Sequence, residues 1–233
     1  MITVYPVETL GRANLGWLNA KYHFSFAEYN NPRRVNFGKL RVINDDTVKA
    51  GSGFDMHQHR DMEIITFVRS GAITHKDSRG NEGRTEAGDV QVMSAGSGIF
   101  HSEFNLENED TTLYQIWIYP DKKGVEPRWE SAAFSNRKAE GSLPLLVSGR
   151  KEDKDKGALF IHQNASISGG RVEAGQEITQ PIHDQAYMLI SDGEIEIMNE
   201  LLRKGDGVEI TDQDSVTFKA LVDSEIILID VPA

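Results

Sequence analysis

The sequence predicts an all-β fold made of two tandem β-barrels of the jelly-roll type. Short runs rich in valine, isoleucine, threonine and aromatic residues recur at close spacing, and stretches with helical periodicity are scarce. Glycine-containing turns separate these runs, and the second half of the chain repeats the first half in a weaker form. Together these observations favour antiparallel strands arranged as barrels.

Four apolar runs are the clearest strand candidates of the first barrel. They are Lys39–Ile43, Glu63–Val68, Asp89–Met93 and Leu113–Ile118. The turns between them contain Gly71, Gly80 and Gly88, and glycine takes a positive φ in such turns without steric cost.

An internal repeat predicts the second barrel. Residues 188–197 resemble residues 66–75, with Gly193 at the position of Gly71. Residues 204–210 likewise resemble residues 87–93. We therefore expect the two barrels to be joined within the more polar region from Pro120 to Gly157.

Composition restricts the classes of function. The formal net charge of −11 argues against direct binding to nucleic acid, which normally depends on clustered lysine and arginine. With no cysteine, any metal site must use nitrogen and oxygen ligands. No apolar run approaches the roughly 20 residues of a membrane span, and the first residues lack the pattern of a secretory signal, so we expect a cytoplasmic protein.

Two pairs of potential metal ligands stand out. His57 and His59 form the first pair, and His101 and Glu103 form the second. Residues i and i+2 of a strand point the same way, roughly 6–7 Å apart. On adjacent strands, the two pairs would direct three imidazoles and one carboxylate at one point. We interpret them as ligands of one divalent transition metal; these donors suit iron, zinc, manganese, nickel, cobalt or copper.

The predicted second barrel lacks such ligands. If the Gly71 and Gly193 turns are equivalent, Thr179 and Pro181 occupy the positions of His57 and His59. We therefore expect a metal-binding domain over residues 1–135 and a degenerate one, without ligands, over residues 136–233.

The residues around the ligand pairs follow the two sequence motifs of the cupin superfamily. Those that match the first motif are Gly51, His57, His59, Glu63 and Gly71. Those that match the second are Gly88, Gly96, His101 and Asn105. The second motif departs from the usual form, because Ser94 stands where proline is usual and two extra residues precede the histidine.

The residues between these motif positions are more similar to one family of bicupin proteins than to cupins in general. On His57–Ile64, His75–Asn81 and Met93–Glu103, the chain resembles the pirin family, in particular its short bacterial members. The resemblance covers about residues 10 to 120 and is faint beyond them. It implies two cupin barrels in tandem.

The resemblance also implies a site and an activity. It implies an iron(II) ion in the N-terminal barrel, held by His57, His59, His101 and Glu103. The implied activity is that of a quercetin 2,3-dioxygenase, which uses O2 to cleave the C-ring of a small aromatic flavonol. Some family members instead act as iron-dependent regulatory or redox-sensing proteins through protein partners, and this is our alternative hypothesis. We expect a monomer.

Two glutamates compete for the carboxylate position. Glu63 is the residue that generic cupins would use, but four residues of strand displace it from His59 by about 13 Å. Glu103 lies on the same predicted face as His101, and the pirin pattern also selects it. We prefer Glu103 as the ligand. Glu63 would then accept a hydrogen bond from a metal ligand or be exposed to solvent.

The remaining candidates have weaker signals. His75 would face the cavity, orient a ligand histidine or be an ordinary strand histidine. Gln115 and Trp117 share one strand face, where they would line the pocket or pack in the barrel. His23 is expected to pack near the N-terminus, and we assign His162 and His183 no role.

The resemblance suggests a mechanism as a hypothesis. A flavonol would bind through its 3-hydroxyl group, whose pKa the metal lowers. Glu103 would then accept the proton as a general base. Ring cleavage by O2 would give a depside and carbon monoxide. A different oxidoreductase or isomerase reaction on a small molecule is a third possibility, because cupin frames host many chemistries.

Overall fold

The computed structural model of the protein describes residues 1–134 and 138–233. These residues form 22 strands and two short 3₁₀ helices, Val7–Thr9 and Lys151–Asp153, so the all-β prediction is confirmed. The first twelve strands are β1 (Ile2–Tyr5), β2 (Gly11–Asn14), β3 (Leu18–Tyr22), β4 (Leu40–Val48), β5 (Gly53–His59), β6 (Glu63–Ser70), β7 (Ala72–Asp77), β8 (Glu82–Glu86), β9 (Val90–Ser94), β10 (Ile99–Phe104), β11 (Thr111–Ile118) and β12 (Arg128–Ala132). The other ten are β13 (Leu145–Ser148), β14 (Leu159–Phe160), β15 (Ser166–Val172), β16 (Glu177–Pro181), β17 (Gln185–Asp192), β18 (Glu194–Ile197), β19 (Glu200–Arg203), β20 (Gly207–Ile210), β21 (Ser215–Ala220) and β22 (Ser224–Val231).

The four apolar runs of the sequence correspond to β4, β6, β9 and β11. The turn glycines Gly71, Gly80 and Gly88 have φ angles of 73°, 87° and 85°. At Gly71 a side chain would also collide with Thr111. Both the strands and the glycine-dependent turns between them are therefore as predicted.

The chain forms two compact units. Of the described residues, the N-terminal unit contains residues 11–134 and 159–163, and the C-terminal unit contains residues 1–10, 138–158 and 164–233. The predicted boundary between residues 135 and 136 lies outside the described residues. The division into residues 1–135 and 136–233 differs from these units in residues 1–10 and 159–163.

The N-terminal unit is a pair of antiparallel sheets. The larger sheet has the order β12-β9-β6-β11-β4-β3-β2, and the smaller has the order β5-β10-β7-β8. Apolar side chains of both sheets meet in one buried cluster, for example Val68 and Leu113 of the larger sheet and Ile73 of the smaller. Burial of such apolar surface is the main force that holds the sheets together.

The C-terminal unit repeats this strand order. Its larger sheet contains β1-β20-β17-β22-β15-β13, and its smaller sheet has the order β16-β21-β18-β19. Each of these strands has the same place in its sheet as one strand of the N-terminal unit; for example, β17 corresponds to β6 and β20 to β9. The internal repeat of the sequence is therefore a repeat of the fold.

The first ten residues belong to the C-terminal unit because β1 pairs with β20. Ile2 lies opposite Ile210 in this antiparallel pair. The backbone N–H of Val7 also donates to Asp206 Oδ1 at 2.9 Å. In its unit, β1 takes the edge position that β12 takes beside β9 in the other unit.

The predicted counterparts of the first histidine pair are wrong by one position. Thr179 and Pro181 point away from the core of the C-terminal unit, whereas Ile178 and Gln180 point into it. A shift of one residue along a strand moves a side chain to the opposite face. Ile178 lies opposite Phe218 in the strand pairing, so the inner face of this strand carries one apolar residue and the amide of Gln180.

Within the described residues, no helix has the length and apolar character needed to cross a membrane.

Gly53 offers a test of the pairing between β5 and β10. A side chain at this residue would collide with the backbone of Glu103 and Phe104. We expect Gly53→Ala to lower the free energy of unfolding by about 1–3 kcal/mol, because backbone atoms cannot move aside as a flexible side chain can. Chemical denaturation measures this change. Ser52→Ala, which adds no atom at the neighbouring position, is the control, and equal stabilities of the two variants would contradict the prediction.

Candidate metal centre

The candidate site lies on the small sheet of the N-terminal unit, where β10 pairs with β5 on one side and β7 on the other. In these pairings His101 lies opposite His57 on β5 and opposite Asp77 on β7. Glu103 lies opposite His75 on β7. Because directly paired residues share a face of the sheet, all these side chains point to the interior of the unit.

Three imidazoles converge as the sequence predicted. His57, His59 and His101 each offer a ring nitrogen, and these nitrogens lie within 4.8 Å of one another. The Nε2 atoms of His57 and His101 are 3.0 Å apart. His101 is buried, while His57 and His59 are half-buried, so the group lies just below the surface.

The protonation of these rings fits a metal ion. His57 Nδ1 lies 2.6 Å from the carbonyl oxygen of Asp55. An N–H group at Nδ1 donates to this oxygen, and the lone pair of an uncharged ring is then on Nε2. Burial and the neighbouring histidines lower the pKa of His59 to about 4 and that of His101 to about 3. The Nε2 atoms of His57 and His101, which are 3.0 Å apart, are both placed to donate lone pairs to one cation.

Glu103 is buried beside His101 but falls into a second group of ligand atoms. This group contains His75, His101 and Glu103, again within 4.8 Å of one another. The side-chain amide of Gln115 donates to Glu103 Oε2 at 2.6 Å, and that of Gln91 donates to Oε1 at 2.6 Å. The hydroxyl of Thr66 also donates to Oε1, at 3.2 Å.

A second hydrogen bond fixes the orientation of each of the side-chain amides of Gln91 and Gln115. Gln91 Oε1 accepts a hydrogen bond from the Thr85 hydroxyl at 3.0 Å. Gln115 Oε1 accepts one from the Trp117 indole N–H at 3.4 Å. Because each amide oxygen is already used, each amide presents its NH2 group to the carboxylate of Glu103.

Gln115 therefore does more than pack in the barrel, and Gln91 is a site residue that the sequence analysis missed. A usable signal was present, because Gln91 is a polar residue inside the apolar run that became β9. Asp77 was also missed, although it lies two residues from His75 and so shares its strand face.

His75 is fully buried and contacts a ligand histidine. Its Nδ1 atom lies 3.4 Å from His101 Nδ1, and its Nε2 atom lies 2.9 Å from Asp77 Oδ2. Burial alone would raise the pKa of Asp77, but hydrogen bonds from His75, Asn81 and Arg79 outweigh it and hold the pKa below its usual value. His75 is therefore in contact with His101, as a residue that orients a ligand histidine has to be.

Aromatic rings line one side of the histidine group. The Trp117 ring meets that of His59 edge to face at 4.9 Å, and Phe26 meets Trp117 in the same way at 5.4 Å. The ring of Phe54 lies 6.4 Å from that of His57. Trp117 therefore borders the site as well as holding Gln115.

Glu63 takes no part in either ligand group. It is fully buried, and its Oε2 atom accepts a hydrogen bond from the Ser94 hydroxyl at 2.7 Å. Burial raises its pKa to about 7, and the bond from Ser94 opposes part of this rise. Glu63 is thus a buried hydrogen-bond acceptor outside both groups of potential metal ligands.

The other three histidines lie outside the group. His23 is buried beside the core residue Phe24, as expected for N-terminal packing. The ring of His162 contacts that of Phe160. The side chain of His183 is 55% exposed, and in the described residues it lies near Glu152.

Family models match both halves of the chain. The model of the pirin family matches residues 5–118, and the model of the quercetinase C-terminal cupin domain matches residues 145–231. The expectation of two cupin domains in tandem and the resemblance to pirins are both confirmed.

Individual relatives match along their whole lengths. A pirin-like protein of Caulobacter vibrioides is 47% identical, with 99% of each chain covered. The quercetin 2,3-dioxygenase of Escherichia coli K12 is 37% identical, covering 100% of this chain and 99% of the relative.

Solved structures show the same fold. The bacterial pirin YhhW of Escherichia coli in complex with nickel(II) is 37% identical and has a TM-score of 0.91, with 100% of this chain and 99% of YhhW covered. A second structure of YhhW has a TM-score of 0.92 at the same identity, with 100% and 98% covered.

The raised pKa of Glu63 predicts a pH-dependent stability. The folded protein holds the Glu63 proton up to about pH 7, whereas the unfolded chain releases it near pH 4.5. The stability from this group is therefore full below pH 4.5 and is lost as the pH rises to about 7. Glu63→Gln removes this loss, so we expect it to stabilise the fold at pH 8 by about 1–3 kcal/mol more than at pH 4.5.

Denaturant unfolding at the two pH values measures this difference. Glu177→Gln, which replaces an exposed glutamate on β16, is the control. A Glu63→Gln effect that is the same at both pH values would contradict the prediction.

The convergence of three imidazoles predicts that metal binding depends on His101. We expect the purified wild-type protein to bind one divalent transition-metal ion per chain. His101→Ala should weaken this binding by more than about 100-fold, which exceeds the typical effect of residues that only support a ligand. Elemental analysis and competition with a chelator measure both quantities. His183→Ala is the matched control, and equal metal contents of the two variants would refute the assignment.

Proposed function

The chain is a member of the pirin family, and from this premise we propose that it is a metal-dependent dioxygenase that cleaves quercetin-like flavonols. The observation that carries the proposal is the convergence of three imidazoles beside a buried carboxylate. The name of the Escherichia coli K12 relative, quercetin 2,3-dioxygenase, supports the substrate class.

We propose that His57, His59, His101 and Glu103 hold one divalent metal ion, with iron(II) as the physiological metal. Nitrogen and oxygen donors without thiolate suit iron(II), and also manganese, cobalt, nickel, copper and zinc. The nickel(II) complex of the relative YhhW supports the binding of a divalent ion. Family membership is the reason to prefer iron.

The metal, when bound, would supply a Lewis acid for the flavonol hydroxyl and a place where O2 and the substrate meet. The proposed overall reaction converts one flavonol and one O2 into one depside and one carbon monoxide. Both atoms of O2 enter the depside, so no external reductant is needed.

Glu103 is the group that we propose to accept the proton of the flavonol 3-hydroxyl. A general base has to lie close to the proton that it removes, and the Glu103 carboxylate lies within 4.8 Å of the ring nitrogens of His101 and His75. The side-chain amides of Gln91 and Gln115 both donate N–H groups to it, so each carboxylate oxygen acts as an acceptor.

The aromatic wall of the site suits a planar substrate. Trp117 and Phe26 meet edge to face beside His59, and we propose that a flat fused ring packs against them. Aromatic packing of this kind contributes about 0.5–1.5 kcal/mol beyond area burial. It would hold the hydroxyl-bearing ring of a flavonol near the three histidines.

Aerobic turnover of quercetin tests the proposal. We expect iron-loaded wild-type protein to remove the flavonol absorbance and to release carbon monoxide. Glu103→Ala should lower the rate by about 10²–10⁴-fold, the usual contribution of a positioned base. His183→Ala, with an exposed histidine outside the site, should retain the wild-type rate. Iron-loaded wild-type protein that leaves quercetin unchanged would sink the proposal.

A further inference from the structure

A chain of hydrogen-bonding side chains leads away from the proposed metal ligand His101. His101 Nδ1 faces His75 Nδ1 at 3.4 Å, and His75 Nε2 faces Asp77 Oδ2 at 2.9 Å. The side chains of His75 and Asp77 are both fully buried. The His75 ring is also stacked on Trp129, with ring centres 4.9 Å apart and planes 7° apart, so its orientation is fixed.

We propose that Asp77, acting through His75, sets the tautomer of His101 and so keeps Nε2 as the nitrogen that is free to bind the metal. This inference rests on the proposed metal site. It makes His75 and Asp77 positioning residues, since neither is proposed to touch the metal or the substrate.

The direction of the chain follows from the surroundings of Asp77. Its Oδ1 atom accepts hydrogen bonds from the backbone N–H groups of Arg79 at 2.8 Å and Asn81 at 3.1 Å. Its Oδ2 atom accepts one from the Asn81 side chain at 2.9 Å. An ionised carboxylate only accepts, so His75 Nε2 must carry a hydrogen and donate.

For an uncharged His75 ring, the positions of the remaining protons follow from this donation. A His75 ring with its single proton on Nε2 has a lone pair on Nδ1, which accepts from His101 Nδ1–H. His101 consequently has its lone pair on Nε2, the atom that faces His57 Nε2 at 3.0 Å. His57 reaches the same tautomer by a shorter route, through the Asp55 carbonyl.

A competing arrangement uses the same residues differently. His75, His101 and Glu103 also lie close enough to hold a second ion between them. That ion would need lone pairs on the facing Nδ1 atoms of both histidines. The tautomer chain instead places a proton between those two atoms, so the two arrangements predict different numbers of bound ions.

Two substitutions of Asp77 separate a tautomer effect from a structural one. Asp77→Asn can keep an oxygen toward the backbone N–H groups of Arg79 and Asn81, which leaves its NH2 group facing His75 Nε2. The side-chain amide of Asn81, which donates to the same atom in wild type, then has to turn so that its oxygen accepts from this NH2 group. The chain then reverses, so that His101 carries its proton on Nε2, where it opposes metal binding. Asp77→Ala loses both backbone hydrogen bonds but imposes no tautomer.

The affinity for nickel(II), measured by competition with a chelator, should therefore fall furthest in Asp77→Asn. We expect a loss of about 10- to 100-fold relative to wild type, the range typical of residues that orient a metal ligand. Asp77→Ala should lose less affinity, although it is expected to be the less stable of the two. Thermal unfolding of the metal-free proteins checks that both variants fold.

Substitutions of His75 provide the rescue. Glutamine can accept from His101 and donate to Asp77, so His75→Gln should retain nickel(II) affinity close to that of wild type. His75→Phe keeps an aromatic ring against Trp129 but makes neither hydrogen bond, and it should lose affinity. Nitrogen NMR of the metal-free protein should show His101 protonated at Nδ1 in wild type and at Nε2 in Asp77→Asn.

Three results would overturn the inference. They are weaker nickel(II) binding by Asp77→Ala than by Asp77→Asn, protonation of His101 at Nε2 in the metal-free wild type, and two nickel ions bound per chain. A wild-type protein that binds no nickel(II) but shows the expected tautomers would instead overturn the proposed metal site and leave the positioning of His101 intact.

Discussion

The pairing of β10 with β5 on one edge and with β7 on the other is the constraint on which the site depends. The first pairing places His101 opposite His57, and the second places it opposite Asp77. One histidine is thereby in reach of a possible metal ligand on one side and of a buried carboxylate on the other. A slip of one residue in either pairing would turn these side chains to the opposite face.

The two units have the same strand order, but only the N-terminal unit carries histidines on the inner face of its small sheet. The inner face of β16 presents Ile178 opposite Phe218, whereas the inner face of β5 presents histidines. Buried polar groups are stable only when they satisfy one another. The N-terminal unit meets this requirement through Gln91 and Gln115, which occupy both oxygens of Glu103. In the C-terminal unit the inner face of β16 carries Ile178 and Gln180, and Gln180 accepts a hydrogen bond from the backbone N–H of Leu143.

The sequence was sufficient for features that repeat with a short period and insufficient for those that depend on a distant partner. Apolar runs and turn glycines identified β4, β6, β9 and β11, and the i, i+2 spacing predicted that His57, His59 and His101 converge. The hydrogen bonds of Glu103 were not predictable, because Gln91 reaches it from another sheet. The alignment of Thr179 with His57 failed since a repeat this weak does not fix the register. The partner of β1 lies too far along the chain for any local pattern to indicate it.

The place of β1 at the edge of the C-terminal sheet has a consequence for the order of folding. Its residues pair with β20, about two hundred positions later in the chain, so closing this contact carries the entropy cost of a very long loop. During synthesis, β1 emerges before its partner strand has been made. Until β1 docks, β20 has an open edge of unpaired backbone groups, the kind of surface through which chains associate with one another. By covering β20, β1 therefore removes an edge through which newly made chains would otherwise mispair.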